Sequence, residues 1–188
     1  MTKLYRLRWI FLSFALTVIC GFVILALVTS GASMDFRGFA LDRSGRVYVG
    51  KTEQIEVVQG GETVDSIPAG RGYAFTIRDG RLFVASGGQV YVKDLGGNTI
   101  SQYGDPAMQE YDQLQSTKNS FTASDGTVYV RRDKLVTPYQ IVRASDGETV
   151  YTMPAKDYAL RIAVVLWPAL FLICMWNAFR LWALKQQK

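Results

Sequence analysis

FALDRSGRVYVG (residues 39–50), FTIRDGRLFVAS (75–86) and FTASDGTVYVRR (121–132) align as three copies of one pattern. An apolar strand runs into a turn of Asp, Ser and Gly type, and an alternating strand built on Val-Tyr-Val or Leu-Phe-Val runs out. Gly supplies a positive φ without steric cost, Asp or Ser bonds the local backbone, and period-two alternation buries one face. Each copy therefore predicts a β-hairpin. A second hairpin follows each one: QIEVVQ, turn Gly60-Gly61, ETVDSIP; QVYVKD, turn Gly96-Gly97, NTISQY; and YQIVRA, turn Asp146-Gly147, ETVYTMP. The chain thus holds three units of four short strands, with intervals of 36 and 46 residues between Phe39, Phe75 and Phe121. Residues 104–120 take up the extra length of the second interval.

These repeats resemble the β-propeller superfamily, especially its NHL-like and quinoprotein-like blades, over residues 36–154. The resemblance implies three four-stranded propeller-like blades. It marks blade turns and names no activity. The Trp-Asp signature of some propellers is absent, and three blades are too few to close a ring that typically takes four to eight. Open strand edges are templates for further pairing. Two chains joined edge to edge, another protein supplying blades, or collapse into a small sandwich or barrel would each cover them.

Two apolar runs bracket this all-β domain. WIFLSFALTVICGFVILALV (residues 9–28) is uncharged over twenty residues, and the run from residue 160 to 184 is uncharged from Ile162 to Phe179. Both match the ~30 Å of bilayer hydrocarbon at about 1.5 Å per helical residue. Residues 1–8 carry Lys3, Arg6 and Arg8 with no acid, and beyond Arg180 the chain carries Lys185 and Lys188 with none. Basic flanks mark the cytoplasmic side, and Trp9 and Trp182 suit its interface. The expected order is a cytoplasmic segment 1–8, a first membrane helix 9–28, an extracytoplasmic β-repeat domain 35–157, a second membrane helix 160–184 and a cytoplasmic tail 185–188. Cleavage near Ser30, Gly31 and Ala32 is the rival reading, but a run of this length exceeds a signal peptide's apolar core of roughly 7 to 15 residues.

The net charge of +5 is not a nucleic-acid footprint, because residues 30–158 hold fourteen basic against sixteen acidic residues. The excess sits at the membrane ends, where anionic inner-leaflet lipid attracts it. Arg131, Arg132 and Lys134, interrupted by Asp133, read as a solvated strand end. Cys20 and Cys174 both lie within the apolar runs at unmatched depths, so no disulfide staples the outer domain. Its lack of an Asn-x-Ser/Thr sequon fits a bacterial surface better than a eukaryotic lumen.

Histidine is absent, which removes the usual general base, the commonest metal ligand and any Ser-His-Asp arrangement. Neither a cofactor nor a metal site is indicated. Asp79, Asp94, Asp125 and Asp146 could form a carboxylate pair of the glycosidase kind, although each falls in a turn or at a strand end where backbone bonding explains it. The segment 104–120 predicts a short helix or ordered loop, more readily an inter-blade connector packed on an edge, with Met108, Glu110, Tyr111 and Leu114 as the candidates for a partner-contacting insertion. In the membrane, Ser13, Thr17 and Gly21 form a groove of small side chains, and Asn177 can hydrogen-bond across a helix interface. Together these residues predict a membrane-anchored binding or scaffold module, an accessory subunit of a membrane complex with no catalysis of its own. Its partners would be the bilayer and another protein, or a second copy, at open sheet edges. The alternatives are a tethered envelope polysaccharide hydrolase and a ligand sensor relaying through a partner.

Overall fold

The computed structural model describes residues 3–104, 114, 118–134 and 137–186. They form two compact units, residues 35–153 and the pair of segments 1–34 and 154–188.

The second of these is a pair of packed helices, α1 (Lys3–Thr29) and α2 (Ala155–Gln186). The stretches Arg8–Thr29 and Ala155–Arg180 are long and apolar enough to cross a membrane. Their outer surfaces settle what surrounds them. Phe11 is 66% exposed, Phe22 67% and Leu172 66%, and eighteen further large apolar side chains on the described parts of the two helices are also exposed. At roughly 1.5–3 kcal/mol per side chain, leaving such a surface in water would cost tens of kcal/mol, against the ~5–15 kcal/mol that holds a typical domain together. Lipid covers it, and the pair forms a two-pass membrane hairpin.

On α1 the covered positions are Ile10, Ser13, Thr17, Cys20, Ile24 and Leu27, with Gly21 beside them. Their alternating spacing of three and four is the seam of a left-handed helix pair. The opposing stripe on α2 runs through Leu160, Ala163, Leu170, Cys174 and Asn177. The pair is antiparallel: the Cys20 thiol lies 3.6 Å from the Ala163 carbonyl, and the Ser33 N–H donates at 2.9 Å to Asp157 in the first turn of α2. Gly31 ends α1 at φ 80°, while its N–H and that of Ala32 bond back to the carbonyls of Val28 and Leu27. That is a Schellman stop, which gives the small residues at 30–32 a structural purpose.

The other unit contains three separate four-stranded antiparallel sheets, each a simple meander. Sheet I comprises β1 (Gly38–Leu41), β2 (Val47–Gly50), β3 (Gln54–Gln59) and β4 (Glu62–Pro68). Sheet II comprises β5 (Ala74–Arg78), β6 (Arg81–Ser86), β7 (Gln89–Lys93) and β8 (Thr99–Gly104). Sheet III comprises β9 (Ser120–Thr122), β10 (Val128–Lys134), β11 (Thr137–Arg143) and β12 (Thr149–Thr152). Strand β1 packs against both β5 and β9, so sheet I lies between the other two, and every residue of β1 and β2 is buried.

Aromatic rings fill the gap between sheets I and III, where Phe36 meets Tyr139 edge-on at 5.0 Å and Phe39 meets Phe121 at 6.4 Å. The Arg131 guanidinium lies 4.2 Å over the Phe36 ring. Between sheets I and II the approach is closer. A Cβ on Gly50 would stand 2.7 Å from Phe75, so glycine is what lets the two strands meet.

The three repeats are not equivalent. Phe39 pairs with Val49 and Phe75 with Val84, the third residue of each alternating triplet, but Phe121 pairs with Tyr129, the second. A one-residue slip turns every side chain to the opposite face. Val128 is accordingly 40% exposed, whereas its counterparts Val47 and Leu82 are 2% and 0%.

Candidate functional site

The first hairpin turn of each sheet arrives at one place. Together they line a cleft of about 920 Å3 whose apolar floor includes Leu41, Ile77, Leu95, Phe121 and Tyr129. Its rim carries Asp42, Arg43, Arg46, Arg78, Asp79 and Asp125. Convergence of the three turns follows from the packing of β1 on β5 and β9, since each turn closes the strand at the meeting point.

The turns differ in build. In sheet I the loop from Asp42 to Arg46 is folded around the Asp42 carboxylate, which accepts from the Ser44 N–H at 2.9 Å, the Ser44 hydroxyl at 2.7 Å, the Arg46 N–H at 3.0 Å and the Arg46 Nε at 2.7 Å. Burial alone would push this carboxyl up, but the bonds from Ser44 and Arg46 outweigh it and hold it below the usual carboxylate range. In sheet II the turn is the two-residue Asp79-Gly80, with φ of 50° and 72°, as tight hairpin turns require. In sheet III the loop from Ala123 to Thr127 is closed by the Ala123 N–H donating to the Thr127 carbonyl at 2.9 Å. There the Asp125 carboxylate accepts from the Thr127 N–H at 2.9 Å, the main reason its pKa is lowered. Arg43 Nε donates to Ser124 Oγ at 3.3 Å, linking the first loop to the third.

Of the four aspartates singled out by the sequence, Asp79 and Asp125 line this cleft, while Asp94 and Asp146 stand in other turns. The expected Gly96-Gly97 turn is a wider loop that folds around Asp94 as the Asp42 loop folds around its own carboxylate. Asp94 accepts from the Gly96 N–H at 3.0 Å and the Asn98 N–H at 2.8 Å, and the Asn98 side chain above all pulls its pKa down. Asp146 bonds the Glu148 N–H and the Arg143 guanidinium, which lower its pKa in that order. A general acid for glycoside cleavage needs the opposite displacement. Among the described residues, no three His, Cys, Asp or Glu side chains are grouped to hold a metal ion.

Within the insertion, Met108, Glu110 and Tyr111 lie outside the described residues. Leu114 is 2% exposed and packs with Ala74, Ala85 and Val90 of sheet II, so its side chain anchors the connection rather than facing a partner. Ser13, Thr17 and Gly21 all lie on the covered side of α1. The two hydroxyls are spent on their own helix, Ser13 donating to the Ile10 carbonyl at 3.0 Å and Thr17 to the Ser13 carbonyl at 2.8 Å. A Cβ on Gly21 would meet the Trp167 indole at 3.5 Å, an ordinary contact. Asn177 lies ten residues beyond Trp167 on the half-covered stripe of α2, about 15 Å further along the helix.

The cleft was not readable as a motif, because its parts are three ordinary turns 30 to 80 residues apart. No protein-family model and no curated protein matches the chain. Among solved structures, the chain is similar to a protein of unknown function from Bacteroides caccae, at 11% identity and a TM-score of 0.33, over 65% of this chain and 62% of that one. A likeness of that size carries nothing about function.

Proposed function

We propose that this chain is a two-pass membrane protein with both termini in the cytoplasm, whose propeller-like β-unit, exposed outside the cell, binds another protein as an accessory subunit of a membrane complex, with no catalysis of its own. The observation that carries this reading is the cleft where three hairpin turns meet, a recognition surface of loops on a rigid β scaffold. Basic flanks support the orientation, as does Arg180, 5.7 Å over the Trp176 ring near the end of α2, where a cation and an indole suit the headgroup level. The packing of β1 against both β5 and β9 supports the blade-like reading. Sheet edges offer a second surface, since Val64 on β4 and Ile100 and Tyr103 on β8 are exposed. Against a hydrolase stand Asp42 and Asp125, both held in the ionised state by their own turns.

Extraction in a mild detergent followed by mass measurement tests the subunit role. A particle heavier than one chain plus its detergent and lipid supports it, and a lone chain at all concentrations rejects it.

A further inference from the structure

The dipeptide Asp-Gly occurs three times, at 79–80, 125–126 and 146–147, each time in a hairpin turn. In such a pair the backbone can attack its own side chain, because glycine leaves its amide nitrogen unshielded by a β-carbon. In two of the copies both reacting groups are tied down. The Gly126 N–H donates to the Ala123 carbonyl at 3.0 Å, while the Asp125 carboxylate accepts from the Thr127 N–H at 2.9 Å. The Gly147 N–H donates to the Arg143 carbonyl at 2.9 Å, while Asp146 accepts from the Glu148 N–H at 3.0 Å and the Arg143 guanidinium at 2.9 Å. Ring closure consumes the neutral acid, and the bond from Thr127, like those from Glu148 and then Arg143, also lowers the pKa of the aspartate it holds.

The turn at 79–80 lacks these restraints. Neither the Asp79 carboxylate nor the Gly80 N–H has a hydrogen-bond or ion-pair partner among the described residues. Both residues are exposed, and nothing stands within 4 Å of the position that a Cβ on Gly80 would take. Asp79 also has a φ of 50°, the only positive value among the described non-glycine residues, and a β-carbon is strained there. Arg78 and Arg81 face each other as the last register pair before the turn, and like charges so placed weaken the pairing that holds it closed.

We infer that Asp79-Gly80, on the rim of the cleft, is a site of backbone isomerisation. The Gly80 nitrogen bonds to the Asp79 Cγ, its proton and the carboxyl hydroxyl leave as water, and a succinimide forms. A second water opens the ring at either carbonyl, giving back aspartate or leaving isoaspartate, whose main chain is longer by a methylene. A two-residue turn cannot keep its geometry with that extra atom, so the rim reshapes as the protein ages. For the test, the full chain in detergent micelles is aged in mildly acidic water carrying a heavy oxygen isotope, then digested with chymotrypsin in ordinary water. Cleavage after the flanking Phe, Tyr and Leu residues releases the turns separately, as residues 76–82, 122–129 and 140–151. Each passage through the ring leaves a heavy oxygen, read by mass spectrometry, and electron-transfer fragmentation locates isoaspartate. Residues 76–82 should gain label and isoaspartate at least roughly tenfold faster than the other two peptides, as the hydrogen bonds restraining those two imply. In guanidinium, which frees all three turns, the rates should converge. Equal rates in the folded chain, a faster rate at Asp125 or Asp146, no label at Asp79, or an Asp79 preference that persists in guanidinium would each overturn the proposal.

Discussion

The Tyr48 hydroxyl donates to the Leu95 carbonyl at 3.1 Å, joining the second strand of sheet I to the β7–β8 loop of sheet II. The phenol is fully buried, and it also approaches Asp42 at 3.4 Å, so a single side chain spans two carboxylate-centred loops.

Tyr48→Phe keeps the ring and removes the bond. It should cost about 1 kcal/mol, visible as a fall of several degrees in the melting temperature of the full chain. Burial pushes the Tyr48 pKa from 10.0 up to about 12. Because the folded state favours the neutral phenol, this contribution is complete below pH 10 and is lost as pH rises from there to about 12. The substitution should flatten the alkaline limb of the stability curve, and an unchanged limb would refute the assignment.

Acid should act on the other end of the same link. The Asp42 pKa is lowered from 3.8, so its contribution is present above that pH and disappears as pH falls through the lower folded value. Asp42→Asn removes the charge while keeping the shape, and should lose about 1–3 kcal/mol at neutral pH together with Asp42's own share of the acid sensitivity near pH 3, the remainder staying with Asp94, Asp125 and Asp146. Denaturant titrations at pH 7 and pH 3 would reveal it.

Gly50→Ala would place a methyl 2.7 Å from Phe75 and 2.8 Å from the Arg37 Cβ. An overpacked contact of this kind costs about 1–3 kcal/mol. Gly104 has open space around it, so Gly104→Ala serves as the neutral control. Comparable melting temperatures for the two variants would contradict the close packing of sheets I and II.

Leu114→Ala should destabilise by about 2–4 kcal/mol, because it empties a site bounded by Ala74, Ala85 and Val90. A variant of normal stability would return Leu114 to a role outside the core.

For orientation, Ser124→Cys at the cleft should react with a membrane-impermeant maleimide on intact cells, while Lys185→Cys should react only after permeabilisation. The reverse pattern would invert the topology.

Local chemistry made part of this fold legible in the sequence. The Gly60-Gly61 turn and its flanking strands β3 and β4 were readable to the residue, because two glycines at positive φ admit one tight hairpin. The two apolar helices were plain as runs 9–28 and 160–184, although as helices they extend over Lys3–Thr29 and Ala155–Gln186. The β7–β8 loop was not, since Gly96-Gly97 looks like the same tight turn while the Asp94 carboxylate winds five residues around itself. The slipped pairing of Phe121 with Tyr129 was hidden for another reason: register depends on what the strand packs against, and that lies in a different repeat. The cleft shares this origin. Its turns could be read one by one, but their meeting is a product of β1 lying between β5 and β9. Ser13 and Thr17 were legible as a covered stripe, although not as hydroxyls satisfied within their own helix.

The bond from the Ser33 amide to Asp157 clips the foot of α2 to the chain just past α1, so everything from residue 35 to 153 departs from and returns to a single doorway. The lipid-embedded pair is in that sense a socket. Another module with neighbouring ends could be transplanted there without redesigning the anchor, and this one could be borrowed as a cassette by any host hairpin with a comparable gap.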